Sequence, residues 1–188
     1  MSGAHRAGQV DPTGVGPSPT VRARLDVPTA ASMHAFGAAL ARRLRAGDLV
    51  VLTGDLGAGK TTLTQGIAAG LGVRDSVTSP TFVIARVHPT LHSGPSLVHV
   101  DAYRLASLAE VDDLDLDASL ADSVTVVEWG SGLVEDLAPD RLEVSIRRPR
   151  GDEDGGADTA PADGDEPRSV GLLGYGSRWA SVELPGRP

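Results

Sequence analysis

The amino-acid sequence predicts an α/β domain in which helices pack on a sheet with buried central strands. Residues 49–52 form a continuous apolar run, and residues 124–127 (Val-Thr-Val-Val) are a second candidate for a buried strand; such runs are typical of parallel strands covered on both faces. The first run leads through a glycine-rich turn into an amphipathic helix that is predicted to extend to Leu71 and to stop at Gly72. With 188 residues, 40% of them hydrophobic, the chain is long enough for one such domain and its core.

The N-terminal part of the chain is predicted to contain one strand and one helix before the first buried run. Residues 1–20 are rich in Gly, Pro, Ser and Thr without periodicity, so we expect a disordered tail. Residues 21–27 alternate between apolar and charged side chains, which predicts a half-buried strand. Thr29 is the predicted N-cap of the helix, and Gly47 is its predicted C′ residue. The apolar residues of this helix recur at spacings of three and four: Met33, Phe36, Leu40 and Leu44.

The C-terminal part is predicted to be richer in strands. Residues 81–87 and 97–100 predict two strands separated by a loop of His, Pro, Ser and Gly. Residues 107–110 (Ser-Leu-Ala-Glu) have the form of a capping box and predict the start of a short acidic helix. Further strands are predicted after the run at 124–127, the last two of them as a closing pair: residues 142–146, 169–173 and 179–184.

The acidic residues are concentrated in one segment. Asp and Glu outnumber Lys and Arg by 25 to 17, but residues 151–167 hold seven acids and no base, so the rest of the chain is nearly neutral. Neither part resembles the basic footprint of a protein that grips nucleic acid alone. We expect residues 151–167 to be a disordered insertion between two strands, because a lone hairpin after it could not fold independently. The sequence therefore predicts a single domain over residues 21–188.

The chain contains no cysteine and no long apolar run. The first absence excludes a disulfide framework, a thiolate metal site and a cysteine nucleophile. No apolar run approaches the roughly 18–20 residues of a membrane span, and the N-terminal residues lack the apolar region of a secretory signal. We therefore expect a soluble cytoplasmic protein without contact to a membrane.

Residues 54–61 (Gly-Asp-Leu-Gly-Ala-Gly-Lys-Thr) fit the pattern G-x-x-x-x-G-K-[ST] without deviation. Glycines in this pattern let backbone N–H groups converge on phosphate oxygens, and the following helix adds its positive N-terminal end. Lys60, the single lysine of the chain, is predicted to reach the β- and γ-phosphates, and the Thr61 hydroxyl to coordinate Mg²⁺. The predicted nucleotide contacts are consecutive: Gly57, Ala58, Gly59, Lys60, Thr61 and Thr62.

Two acidic residues directly follow apolar runs and are candidates for the same site. Asp101 ends the run at residues 97–100, and Glu128 ends the run at 124–127. A parallel sheet delivers the carboxyl ends of its strands to the nucleotide, where a carboxylate holds Mg²⁺ or orients water. A strand-terminal acid that faces solvent is the alternative for each, and the neighbouring phosphate-binding motif favours the functional interpretation.

Three other features keep more than one interpretation, and a fourth, His99, is assigned only to one face of its strand. Residues 79–81 (Ser-Pro-Thr) fit a switch-like loop near the γ-phosphate or an ordinary turn with capping hydroxyls. Arg104 fits an arginine finger supplied by the same chain or a surface salt bridge. Trp129 fits a core anchor or a contact surface, and His99 lies on the face of its strand opposite to its two valine neighbours.

Two classes of nucleotide-binding protein are excluded by missing motifs. Ras-type GTPases read guanine with an Asn-Lys-x-Asp element, which cannot occur here because the only lysine is already part of the phosphate-binding motif. The Leu-Ser-Gly-Gly-Gln signature of transporter ATPases is also absent from the sequence.

Four sequence blocks, in their order and spacing, resemble the TsaE (YjeE) family, bacterial P-loop ATPases required for threonylcarbamoyladenosine modification of tRNA. The blocks are GDLGAGKTT at 54–62, SPTF at 79–82, HVDAYRL at 99–105 and EW at 128–129. The resemblance covers about residues 21–184 and implies a three-layer P-loop NTPase-like fold with a mixed, partly antiparallel sheet. It also implies an ATPase that binds a TsaB–TsaD protein pair, meets tRNA only indirectly, and hydrolyses ATP to reset that pair.

The resemblance also implies roles for the residues of the site. Thr61 and Glu128 are implied to contact Mg²⁺, and Asp101 is implied to be essential for hydrolysis. With Lys60, the two acids form the expected catalytic set, and ATP and Mg²⁺ are the expected cofactors. Gly130 departs from the family, in which proline or another residue commonly follows the Glu-Trp pair.

Two alternative functions fit the same motif. A small-molecule kinase would use the same phosphate-binding loop, but we find neither a lid nor an acceptor pocket in the sequence; a phosphorylated metabolite formed from ATP would identify it. A nucleotide-sensing adaptor with incidental hydrolysis is the other alternative. Measuring ATP turnover with and without TsaB–TsaD bears most directly on the choice.

Overall fold

The computed structural model describes residues 17–74, 77–78, 85–105, 110–111, 116–148 and 166–185. The turn predicted at residues 79–81, most of the predicted capping box and all but two residues of the acidic segment lie outside this described part. The strands are β1 (Val21–Val27), β2 (Leu49–Thr53), β3 (Ala85–His88), β4 (Ser96–Asp101), β5 (Ser123–Glu128), β6 (Arg141–Arg147) and β7 (Arg168–Tyr175). The helices are α1 (Ala30–Ala41), α2 (Lys60–Leu71), α3 (Leu116–Leu120) and α4 (Ser177–Ala180), with 3₁₀ turns at Ala102–Arg104 and Glu135–Leu137.

The strands form one mixed sheet in the order β1-β7-β6-β2-β5-β4-β3. The four inner strands β6, β2, β5 and β4 run parallel to one another. The remaining strands are antiparallel to their neighbours: β3 to β4, β7 to β6, and β1 to β7. The predicted α/β fold with a mixed, partly antiparallel sheet is therefore confirmed.

The core has two parts, one on each face of the sheet. Helices α1 and α2 cover one face, and α3 with the irregular segments near it covers the other. Strand β2 contributes to both, because Val50 and Leu52 point to the first face and Leu49 and Val51 to the second. All four side chains are 0% exposed, which explains why this run shows no alternation in the sequence.

Helix α1 begins as predicted and ends earlier than predicted. The Thr29 hydroxyl accepts a hydrogen bond from the Ser32 N–H at 3.0 Å, which is the expected N-cap contact. The helix ends at Ala41, so the prediction of Gly47 as its C′ residue is wrong. Leu44 is still buried, because two short turns follow the helix and carry this side chain into the same core. Gly47, with φ of 90°, belongs instead to the turn that precedes β2.

Helices α1 and α2 approach each other closely at two glycines. A Cβ atom on Gly37 would lie 2.5 Å from the carbonyl oxygen of Leu63, and one on Gly66 would overlap the carbonyl oxygen of His34. Neither position has room for a side chain, so the two helix backbones are in direct contact there. This contact fixes the position of α2, the helix that follows the glycine-rich loop.

The prediction of a strand at residues 179–184 is wrong. Gly176, with φ of 79°, turns the chain after β7, and the Asp140 carboxylate accepts the Arg178 N–H at 3.0 Å at the start of α4. Trp179 is 0% exposed and packs in the core on the α1 and α2 side, which gives this segment its strand-like apolar spacing. The predicted partner of this segment, β7, pairs with β6 and β1 instead.

The acidic segment lies in the connection between two strands that are neighbours in the sheet. Arg147 of β6 and Ser169 of β7 are register partners, and residues 149–165, which join the two strands, lie outside the described part of the chain. Among the helices that are described, none is both long and apolar enough to cross a membrane.

Candidate functional site

The glycine-rich loop, residues 54–59, joins the carboxyl end of β2 to the amino end of α2. Gly54, Gly57 and Gly59 all have positive φ angles, of 146°, 72° and 109°. A side chain is strained in this conformation, which explains the need for glycine at each position. Helix α2 begins at Lys60, and no side chain of the described residues caps its N-terminus. The N–H groups of its first turn therefore face the site without a side-chain partner from these residues.

Lys60 points into the loop that precedes it. Its Nζ donates to the carbonyl oxygens of Gly54, at 2.7 Å, and Asp55, at 3.0 Å. The same ammonium group lies 3.7 Å from the centre of the Trp129 ring, within the range of a cation–π contact. Burial lowers the pKa of Lys60, and the negative charges of Glu128, Asp101 and Asp55 oppose this shift.

Asp101 and Glu128 meet at the carboxyl ends of β4 and β5, where they are register partners. The Glu128 carboxylate is buried and accepts the Thr61 hydroxyl at 3.2 Å on Oε2. Asp101 is partly exposed, and its Oδ1 accepts the Tyr103 N–H at 3.1 Å. The parallel arrangement of β4 and β5 thus brings both predicted acids to the end of the sheet where α2 begins.

Two polar residues complete the surroundings of Glu128, and sequence analysis did not assign either of them to the site. His99 is 0% exposed, and its Nε2 lies 2.9 Å from Glu128 Oε1. The Thr64 hydroxyl, one helical turn after Thr61, lies 3.4 Å from the same oxygen and donates to the Lys60 carbonyl at 3.0 Å. The i, i+3 spacing of the two threonines is the signal that could have revealed Thr64.

Trp129 covers one side of the site and has an unusual backbone conformation. Its φ is 63°, and its N–H donates to the Leu52 carbonyl at 2.9 Å. Its ring lies 5.2 Å from that of the exposed Tyr103, so the two aromatic rings form a wall beside Lys60. Gly130 follows without room for a side chain, since a Cβ atom would lie 2.6 Å from Val127. Trp129 is therefore a half-buried residue of the pocket, not a core anchor.

The loop, α2, β4 and β5 enclose a pocket of about 330 Å³. Leu56, Tyr103 and Trp129 line part of it. The rest of the lining consists of predicted site residues: Gly57, Gly59, Lys60, Thr61, Thr62, Asp101 and Glu128. Ala58 is the exception, because its side chain is buried in the core and its N–H donates to the Asp55 carbonyl at 3.1 Å. Residues 79–81 and the Arg104 side chain lie outside the described part of the chain.

Arg148, just after β6, is a further contact of the loop that sequence analysis missed. Its Nη2 donates to the Gly57 carbonyl oxygen at 2.6 Å. A Cβ atom on Gly57 would lie 2.7 Å from the same nitrogen, so the arginine also restricts the space at this position. The contact joins residues 91 positions apart, which no local pattern predicts.

Comparison with known proteins identifies the family of the chain. The family model described as "Threonylcarbamoyl adenosine biosynthesis protein TsaE" matches residues 27–154. A Streptomyces coelicolor protein named tRNA threonylcarbamoyladenosine biosynthesis protein TsaE is 60% identical over 153 residues, which are 81% of this chain and 97% of that protein. The Bacillus subtilis protein of the same name is 43% identical over 109 residues, covering 57% of this chain and 66% of its own.

A solved structure agrees with these sequence relatives. The crystal structure of Bacillus subtilis YdiB superimposes with a TM-score of 0.61 and 28% identity, over 85% of this chain and 89% of that one. The fold, the four sequence blocks and the family model thus all indicate the same family. The chain belongs to the TsaE family of threonylcarbamoyl adenosine biosynthesis proteins.

Proposed function

We propose that this protein is a Mg²⁺-dependent ATPase that serves tRNA threonylcarbamoyladenosine biosynthesis as an accessory subunit. The observation that carries the proposal is the convergence of Lys60, Thr61, Asp101 and Glu128 on one pocket at the start of α2. Family membership and the names of the relatives support the pathway. By the same resemblance, the protein acts in the cytoplasm on a TsaB–TsaD type complex, resets it between cycles, and meets tRNA only through it.

The loop and Lys60 supply the phosphate contacts in this proposal. The uncapped first turn of α2 presents N–H groups, and the helix end favours negative charge. Lys60 is already at the loop, where its ammonium group has two neutral carbonyl partners. Phosphate oxygens form stronger, charge-assisted hydrogen bonds than neutral carbonyls do, so a nucleotide would compete for this group.

Thr61 and Glu128 fit a Mg²⁺ ion by their chemistry. A hydroxyl and a carboxylate are oxygen ligands of the kind that Mg²⁺ prefers. No group of three or more His, Cys, Asp or Glu that could hold a metal occurs among the residues described, so further ligands would come from nucleotide phosphates and water. Bound Mg²⁺ would neutralise charge on the β- and γ-phosphates. Asp101, more exposed than Glu128, would orient the attacking water.

ATP turnover with and without a purified TsaB–TsaD complex tests the proposal. We expect turnover that requires Mg²⁺, rises when the complex is added, and is lost in Lys60→Ala. Arg45→Ala is the matched control, because Arg45 is an exposed base in the turn at the opposite end of β2. Normal turnover in a folded Lys60→Ala protein would contradict the proposal. A phosphorylated metabolite in place of free phosphate would support the small-molecule kinase instead.

A further inference from the structure

We infer that His99 is a positioning residue, which holds the Glu128 carboxylate in the orientation that leaves Oε2 to Thr61 and the pocket. The inference rests on the proposed function, in which Thr61 and Glu128 hold Mg²⁺. It assigns a role to a buried polar side chain that does not itself line the pocket.

The geometry places the Glu128 carboxylate between β4 and α2. His99 approaches Oε1 from the strand at 2.9 Å, and Thr61 approaches Oε2 from the helix at 3.2 Å. An ionised carboxylate only accepts hydrogen bonds, so the His99 Nε2 must carry the proton that joins them. The two contacts hold the two oxygens separately and thereby fix the rotation of the carboxylate about its last bond.

Thr64 cannot replace His99 in this arrangement. Its hydroxyl has one proton, which has a nearer acceptor in the Lys60 carbonyl, at 3.0 Å, than in Glu128 Oε1, at 3.4 Å. Without His99, Oε1 would therefore keep only this weak, shared contact among the residues that the structure describes. A buried carboxylate oxygen that loses its donor would be expected to turn toward another one, away from its present orientation.

The surroundings of His99 argue against a purely structural role. On this face of the sheet, Leu97 of β4 and Val126, the register partner on β5, are both 0% exposed apolar residues. The charged groups on the same face lie at its borders: Arg86, the register partner on β3, is exposed, and Asp101 lines the pocket. The other ring nitrogen, Nδ1, is buried and has no hydrogen-bond partner among the described residues. A buried polar atom without a partner destabilises the fold, so an apolar residue would suit this position better if packing alone mattered. The bond to Glu128 is what the imidazole contributes here.

The test measures Mg²⁺-dependent binding of a fluorescent ATP analogue to the full-length protein. His99→Leu removes the donor, His99→Gln returns an N–H at the distance of Nε2, and His99→Asn carries an amide that is too short to reach Glu128. We expect His99→Leu and His99→Asn to raise the Mg²⁺ concentration for half-saturation by about tenfold or more, as loss of an outer partner of a metal ligand does. His99→Gln should recover most of the affinity, and binding without Mg²⁺ should change little in all three.

A double variant separates positioning from general damage. If His99 acts through Glu128, His99→Leu should have no further effect on Mg²⁺ half-saturation in a Glu128→Gln protein. Equal losses in the Gln, Asn and Leu variants, or an unchanged Mg²⁺ dependence in a folded Leu or Asn variant, would overturn the inference. Failure of the wild-type protein to bind ATP would instead overturn the proposed function.

Discussion

Asp101 and Glu128 are register partners at the ends of adjacent parallel strands, yet their carboxylates have different surroundings. Glu128 is 3% exposed and bonded to Thr61 and His99, whereas Asp101 is partly exposed and accepts a backbone N–H. Two neighbouring acids with such different partners are suited to different tasks. The buried one is held still by side chains, and the other faces the pocket from its rim.

The first prediction concerns Glu128. Glu128→Gln keeps the volume of the side chain and removes its charge, so we expect Mg²⁺-dependent binding of ATP to weaken by about tenfold or more, together with turnover. Titration of a fluorescent ATP analogue with and without Mg²⁺ measures this. If the Mg²⁺ dependence is unchanged, Thr61 remains the only protein ligand with a structural basis.

The second prediction concerns Asp101. In Asp101→Asn we expect turnover in the presence of TsaB–TsaD to fall by about a hundredfold or more, with the affinity for Mg·ATP comparatively unchanged, because orientation of water matters mainly in the transition state. Parallel measurements of turnover and analogue binding separate these effects. Unimpaired turnover would remove Asp101 from the site.

The third prediction concerns the contact between α1 and α2. Gly66→Ala adds a methyl group that overlaps the His34 carbonyl, so we expect the free energy of unfolding to fall by about 1–3 kcal/mol. Gly94→Ala is the control, since a Cβ atom there would lie 3.8 Å from the Thr90 side chain, an ordinary contact distance, and its effect should stay within about 0.5 kcal/mol. Urea unfolding of both variants measures the difference, and equal stabilities would contradict the close contact.

The fourth prediction concerns the pH dependence of stability. Burial, with the negative charge of Glu143, raises the pKa of Tyr175 above its ordinary value of 10.0, and the Arg141 guanidinium opposes this shift. As the pH rises through 10.0, Tyr175 ionises in the unfolded chain before it ionises in the folded protein. The free energy of unfolding therefore falls as the pH rises further, because the unfolded state is favoured by the loss of this proton. In Tyr175→Phe, the free energy of unfolding should fall less steeply over this pH range. Absorbance titration in a Tyr103→Phe background, which leaves Tyr175 as the only tyrosine, should show ionisation above 10.0; ionisation at or below it would contradict the prediction.

The fifth prediction concerns the acidic segment. A polar acidic segment cannot bury enough apolar surface to matter for folding, so we expect deletion of residues 151–165 to leave ATP binding and the melting temperature nearly intact. The deletion leaves residues 148–150 and 166–167 to join β6 to β7, and Arg147 and Ser169 are already register partners. A large fall in melting temperature would show that the segment packs on the domain.

Much of the fold was predictable because its signals are local. The apolar run of β2 reflects burial on both faces, and the Thr29 hydroxyl caps the helix that follows it by accepting an N–H three residues away. Two predictions failed, that of Gly47 as the C′ residue of α1 and that of a strand at residues 179–184. The second failed because tertiary contacts override the local pattern. Trp179 and its neighbours have the spacing of a strand, but Gly176 and the Asp140 carboxylate start a helix there.

The candidate site shows the same division. The glycine-rich motif is continuous in the sequence, and Asp101 and Glu128 are recognisable because strands end at them. The contacts of His99 and Arg148 depend on the register of β4 against β5 and on where β6 ends beside the loop. Sequence periodicity indicates the face of a strand but not its neighbour, so these contacts became visible only in the structure.

The pairing of β1 with β7 has a consequence for how the chain folds while it is being translated. During translation β1 is made early, but its neighbour in the sheet is β7, and Val21 is register partner of Gly174. The segments that build the pocket, from the glycine-rich loop to Trp129, are all synthesised before that neighbour. The nascent chain therefore carries β1 without its strand partner until synthesis is nearly finished, and such late, long-range pairing slows folding. Chains truncated before β7 would expose two strand edges, those of β1 and β6, to aggregation.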